Sequence, residues 1–110
     1  MNSIQPLCDK HRKEMRAVIV ERTLRGRHTI YELGFPAFRC SDADCTRHYE
    51  QWEGYIDVIP DGLLLDKYGR PFVCPKHENA LYIAAYQPQT DVETWRCPEP
   101  GCEHQLQARA

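Results

Sequence analysis

Cys8-Asp9-Lys10-His11 and Cys74-Pro75-Lys76-His77 share the pattern C-x-K-H, and the reading of these two stretches decides the fold. Each is answered downstream by a second matched pair. Arg39-Cys40 leads to Cys45 after Phe38, and Arg96-Cys97 leads to Cys102 after Trp95, so both read aromatic-R-C-x4-C. All six cysteines of the 110-residue chain fall inside these four segments. That gives two sets of three cysteines and one histidine, the ligand count of a closed tetrahedral zinc centre.

The spacing has a chemical reason. Two ligands separated by a tight turn can chelate one ion, which C-x2-H supplies and C-x4-C supplies more loosely. Local pairing gives Cys8, His11, Cys40 and Cys45 as one site, and Cys74, His77, Cys97 and Cys102 as the other, with two Zn²⁺ ions in all. A cross-brace between alternate knuckles is the other arrangement the spacing allows. His48 and His104 lie near the cysteine pairs, but their offsets differ between the halves, whereas those of His11 and His77 agree. They read as solvated residues or donors behind the ligands, and His28 takes no role.

Other metal chemistry fits less well. A Rieske cluster needs two Cys and two His, available only across the halves, and c-type haem needs C-x2-C-H. Zinc deaminases need H-x-E with P-C-x-x-C, and DNA-reading C2H2 fingers need two close histidines. A disulfide framework would suit six cysteines in a secreted chain. However, no basic start followed by an apolar run opens this one, and disulfides have no use for a histidine three residues after a cysteine in both copies.

Length agrees with the ligand reading. The first knuckle recurs after 66 residues (8 to 74) and the second after 57 (40 to 97), so the chain divides into modules of about 50 residues. Modules of that size bury too little apolar surface to be stable without a staple. The partition expected is 1–53, a connecting hairpin 54–73, and 74–110. Residues 15–22 and 28–33 read as strands around a turn at 24–27, then Gly34, Phe35 and Pro36 break the second strand before the next knuckle. In the second half, 80–86 and 91–96 read as strands around Gln87-Pro88-Gln89-Thr90. Each half is therefore knuckle, strand, turn, strand, knuckle, and the hairpin brings the two ligand pairs side by side. Between the halves, 54–59 and 63–65 flank Pro60-Asp61-Gly62, a hairpin turn, and 66–71 reads as a further turn. Residues 41–53 have cap residues for a short helix.

The matched knuckles resemble those of the zinc-ribbon family, in which two knuckles at the ends of β-hairpins grip one zinc. The paired copies, with Gly54-Tyr55 after the first, are also similar to small bacterial proteins with two ribbons. Histidine in place of one cysteine, and C-x4-C in place of C-x2-C, depart from the usual pattern. The resemblance implies a small, metal-stabilised, mainly β fold of two ribbon-like hairpin modules with a hairpin between them.

Function is less legible. The net charge of −2 gives no general attraction to nucleic acid. The charge is uneven, with +4 over residues 1–39 and −6 over 40–110. Lys10, Arg12, Lys13, Arg16, Arg22, Arg25 and Arg27 form a candidate nucleic-acid patch, with Tyr31, Phe35, Phe38 and Trp52 as aromatics able to stack or to fill the core. No nucleophile–base pair, phosphate loop or carboxylate pair suggests an enzyme. The expectation is a cytoplasmic, non-catalytic, zinc-stabilised interaction module with a protein or nucleic-acid partner and no membrane association. A zinc enzyme, or a thiol-based redox or metal-responsive protein, is the alternative. No apolar run approaches the ~20 residues of a membrane-spanning helix.

Overall fold

The computed structural model describes residues 4–25, 30–58, 64–69 and 71–109. It is mainly β, and among those residues there is no helix, hence none long and apolar enough to cross a membrane. Among the described residues, eight strands form two antiparallel sheets. The first, in the order β1-β2-β3-β4-β5, holds β1 (Met15–Arg25), β2 (Ile30–Cys40), β3 (Arg47–Glu50), β4 (Gly54–Val58) and β5 (Leu64–Gly69). The second, in the order β6-β7-β8, holds β6 (Tyr82–Gln87), β7 (Val92–Arg96) and β8 (Gln105–Arg109).

The two sheets start from the same register. Arg16 faces Arg39 as Tyr82 faces Arg96, and Ala17 faces Phe38 as Ile83 faces Trp95. On the next strand Phe38 faces Tyr49 as Trp95 faces Leu106, and Arg39 faces His48 as Arg96 faces Gln105. The offsets are the 66 and 57 residues that separate the knuckles. Ahead of each first strand a single bridge closes the knuckle, Leu7 to Glu14 and Val73 to Ala80.

Several local expectations change. Residues 41–53 form no helix: a turn leads into β3, which pairs with both β2 and β4. Cys40 and Cys45 must lie close together, and Asp42 closes the turn by accepting the Asp44 N–H at 3.0 Å. Gly34, Phe35 and Pro36 do not interrupt β2. The Met15 N–H is bonded to Pro6 and its C=O to Gln5, so Met15 faces away from β2. By alternation Ile19 does too, and its partner Pro36 turns its nitrogen outward, past the end of β3, where no ladder donor is missed. Residues 66–69 belong to β5, with register shifts in the β4–β5 pairing at Tyr55/Ile56 and Asp57/Val58. Residues 54–58 and 64–69, part of the 54–73 expected as a connecting hairpin, pair with each other and extend the first sheet through β3. Gly26 and Arg27 of the first turn, and Pro60-Asp61-Gly62, lie outside the described residues. Strands β3 and β8 were not anticipated.

The core joins the two sheets. Tyr49, Tyr55, Leu81, Ile83 and Trp95 are buried almost completely. Ring centroids of Tyr49 and Tyr55 lie 5.2 Å apart, and those of Tyr55 and Trp95 5.8 Å, edge to face. Polar tips lock the same seam. The Tyr49 hydroxyl donates to the Ala80 carbonyl, and the Tyr55 hydroxyl donates to Leu7 C=O (2.8 Å) and accepts from Ile83 N–H (2.9 Å). The Leu7 N–H reaches the Ile83 C=O at 2.8 Å. Every one of these bonds ends within a few residues of a knuckle.

Candidate metal centres

The two C-x-K-H knuckles close through the same bonds. The N–H of Arg12 donates to Cys8 C=O (2.9 Å) and that of Glu78 to Cys74 C=O (2.8 Å). Cys8 N–H donates to Lys13 C=O (2.9 Å), and Cys74 N–H to Asn79 C=O (3.0 Å). The residue after each histidine is left-handed, Arg12 at φ 58° and Glu78 at φ 59°. That conformation reverses the chain at once, so cysteine and histidine face one point. The C-x4-C turns match as well. Cys45 N–H donates to Asp42 C=O and Cys102 N–H to Glu99 C=O, both at 3.1 Å. The N–H groups of Asp42 and Glu99 point at the sulfurs of Cys40 and Cys97, at 3.5 and 3.4 Å.

These turns bring Cys8, His11, Cys40 and Cys45 into one cluster and Cys74, His77, Cys97 and Cys102 into another, each with its ligand atoms within 4.8 Å of one another. The grouping is local, within each half, and not cross-braced. In the first, His11 Nδ1 lies 3.9 Å from Cys8 Sγ and 3.7 Å from Cys40 Sγ, and the Cys8 and Cys45 sulfurs are 3.9 Å apart. In the second, His77 Nδ1 lies 3.7 Å from Cys74 Sγ and 3.6 Å from Cys97 Sγ, with Cys74 and Cys102 at 3.9 Å. Metal–sulfur bonds of about 2.3 Å and metal–nitrogen bonds of about 2.0 Å give tetrahedron edges of about 3.5–3.8 Å. The donors stand at the spacing one central ion requires, and all six thiols are free.

The electrostatics explain why such thiols want a cation. Burial pushes Cys8 up to about 12 and Cys97 up to about 11, and raises Cys45. At Cys74 burial also works against ionisation, but N–H groups of Lys76 and His77, the His77 ring and Cys97 outweigh it and bring the thiol down to about 6. Bare thiolates this deeply set are costly, and a divalent ion removes that cost.

Sequence reading missed what stands behind the ligands. Beside the first cluster Arg47, 5% exposed, lies 3.2 Å from Asp9 and 3.7 Å from Asp57. Lys10 pairs with Asp57 at 3.6 Å, and Thr46 donates to it at 3.3 Å. Burial raises the Asp9 pKa, with Arg47 opposing. Arg12 reaches the second sheet, pairing with Glu93 at 2.6 Å and lying over the Tyr86 ring at 4.6 Å. Beside the second cluster, fully buried Asn79 meets Cys97 Sγ at 3.2 Å. No motif marks Arg47, Asp57, Asn79 or Glu93; their roles come from contacts between segments distant in sequence.

The competing histidines stay out of both clusters. His48 is buried on β3 with Nδ1 2.7 Å from Thr46 C=O, its pKa lowered by burial. His104 offers its backbone C=O to Cys97 N–H at 3.2 Å. Of the candidate basic patch, Lys10 and Arg12 are engaged as above, and Lys13 pairs with Asp42 at 3.4 Å. Arg16 is exposed on β1, Arg22 and Arg25 are further residues of β1, and Arg27 lies outside the described residues. Comparison with protein-family models, with curated proteins and with solved structures finds no match for this chain.

Proposed function

We propose that each cluster holds one Zn²⁺ as a closed, structural Cys3His centre, and that the protein is a non-catalytic interaction module built from two copies of a zinc-ribbon-like unit. The observation that carries this is the donor spacing: three sulfurs and one imidazole nitrogen at tetrahedral separations, twice. Thiolate and imidazole ligands suit zinc, and four protein ligands leave no position for a reactive water. The matched turns, hydrogen bonds and strand registers support the two-copy reading. Six free thiols suit a reducing compartment such as the cytoplasm.

X-ray absorption at the zinc edge tests the reading. It should report an average shell of three sulfurs at about 2.3 Å and one nitrogen at about 2.0 Å. A shell containing a water or carboxylate oxygen would count against a closed site and favour a catalytic metal.

A further inference from the structure

Resting on the zinc reading above, we propose that Cys102 is an oxidation site, the thiolate through which a peroxide opens the second centre before the first. Two copies of one unit give each cysteine a matched position for comparison. Cys8 and Cys74 match, and both are fully buried; Cys40 and Cys97 match, and both are buried. Cys45 and Cys102 match but differ. Cys45 is buried, whereas Cys102 alone of the six is not.

Topology explains the difference. The strand that follows Cys45, β3, lies between β2 and β4, while the strand that follows Cys102, β8, is the edge of its sheet. Two residues beyond Cys45, buried Arg47 aims its N–H at the sulfur, at 3.4 Å. Among the described residues no N–H meets the sulfur of Cys102. Cys97, next to it in the cluster, accepts the Glu99 N–H at 3.4 Å and lies 3.2 Å from buried Asn79. An N–H donor draws charge from a thiolate and makes it a weaker nucleophile, so Cys102 is left as the stronger one. The approach to it is open. A cavity of about 270 Å³ has Cys97, Gly101 and Cys102 in its wall, and a Cβ at Gly101 would meet nothing within 4 Å. The exposed ligand of the first cluster is His11, whose ring offers no thiolate. Oxidation follows thiolate character and exposure, and here both select Cys102.

The chemistry balances with hydrogen peroxide as the oxidant. The Cys102 thiolate attacks one peroxide oxygen, an S–O bond forms, the O–O bond breaks and hydroxide leaves. The Cys74 sulfur, 3.9 Å away, then displaces a second hydroxide from the sulfenic sulfur and closes a disulfide. Two thiolates have lost two electrons, one peroxide has become two hydroxides, and a site with two of its four ligands gone no longer holds its ion.

The test treats the zinc-loaded full chain with one equivalent of hydrogen peroxide, unfolds it in an alkylating denaturant and maps the cysteines by mass spectrometry. The first disulfide should join Cys102 to Cys74, with Cys8, Cys40 and Cys45 still alkylated as thiols, and zinc should appear in solution in step with it. Iodoacetamide offered to the native, loaded chain should label Cys102 roughly tenfold or more faster than any other cysteine. Cys102→His keeps a fourth ligand but no thiolate, so once loaded with two zinc ions it should release metal to peroxide roughly tenfold or more slowly than wild type. If that variant fails to load, the two wild-type maps decide alone. A first disulfide that lacks Cys102 would overturn the proposal. So would equal alkylation of the six cysteines, or release from Cys102→His at the wild-type rate. Any of these from folded, zinc-loaded protein sinks this inference alone, whereas metal-free folded protein sinks the zinc reading beneath it.

Discussion

At the scale of single residues, Arg47 decides most beyond the ligands. It lies inside the protein between two carboxylates, one of them adjacent to the ligand Cys8. Removing one partner of a buried pair leaves the others charged and desolvated. Arg47→Leu should therefore lower stability by roughly 3–5 kcal/mol in urea unfolding. A loss under about 1 kcal/mol would mean that water already reaches Asp9 and Asp57. His48 gives a prediction in pH. Its folded pKa lies below the ordinary value of 6.5, so below that pH the unfolded chain binds a proton the native state resists. Its contribution is complete above pH 6.5 and declines as pH falls through the folded value. Wild type should lose stability relative to His48→Gln between pH 7.5 and 5.5, measured by parallel denaturant titrations. A constant difference would show the ring ionises alike in both states.

The elements show why part of the site was legible and part was not. The membership of the two Cys3His clusters was readable because C-x2-H and C-x4-C are local: the side chains lie within one turn, and the two matched copies checked one another. The helix expected at 41–53 does not form because its cap residue Asp42 closes the Cys40–Cys45 turn instead, accepting the N–H of Asp44 on its side chain and that of Cys45 on its carbonyl. β2 runs through Gly34 and Pro36 because Pro36 meets the one side of the strand that asks for no donor, a condition set by β1 and β3 and invisible locally. Arg47 and Asp57 meet through the β3–β4 register, and Arg12 meets Glu93 where the first knuckle packs on the second sheet, so neither pair is visible in local sequence. One prediction belongs at this scale. The left-handed residue after each histidine is Arg12 or Glu78, and a β-branched side chain is disfavoured there. Glu78→Val should cost about 1–2 kcal/mol more than Glu78→Gly and weaken metal retention at the second cluster more than the glycine does. Competition with a chromogenic chelator reads both, and equal retention in the two variants would contradict the turn geometry.

Across the whole molecule, the two halves share one seam. Tyr55 bonds the residue before Cys8 and a residue of β6, Tyr49 bonds Ala80, and Arg12 reaches from the first knuckle to Glu93 and Tyr86. A metal that orders one knuckle therefore orders the surface the other half packs on. Tyr55→Phe removes one hydroxyl and strands two backbone groups, so it should cost roughly 1–3 kcal/mol. Arg12→Ala should make the second metal site respond less to loss of the first. In both variants, zinc removal by graded chelator should pass through a populated one-zinc species that wild type skips, and its absence would mean the halves are coupled by other contacts.

On the proposed reading, coordination reinforces a small core shared by the two halves, and native mass spectrometry of protein purified without added metal tests this most directly. The prediction is a mass corresponding to two zinc ions per chain, with stripping by a chelator abolishing the β-sheet circular dichroism. Metal-free chains that keep their sheets, or cysteines found joined as disulfides, would contradict it.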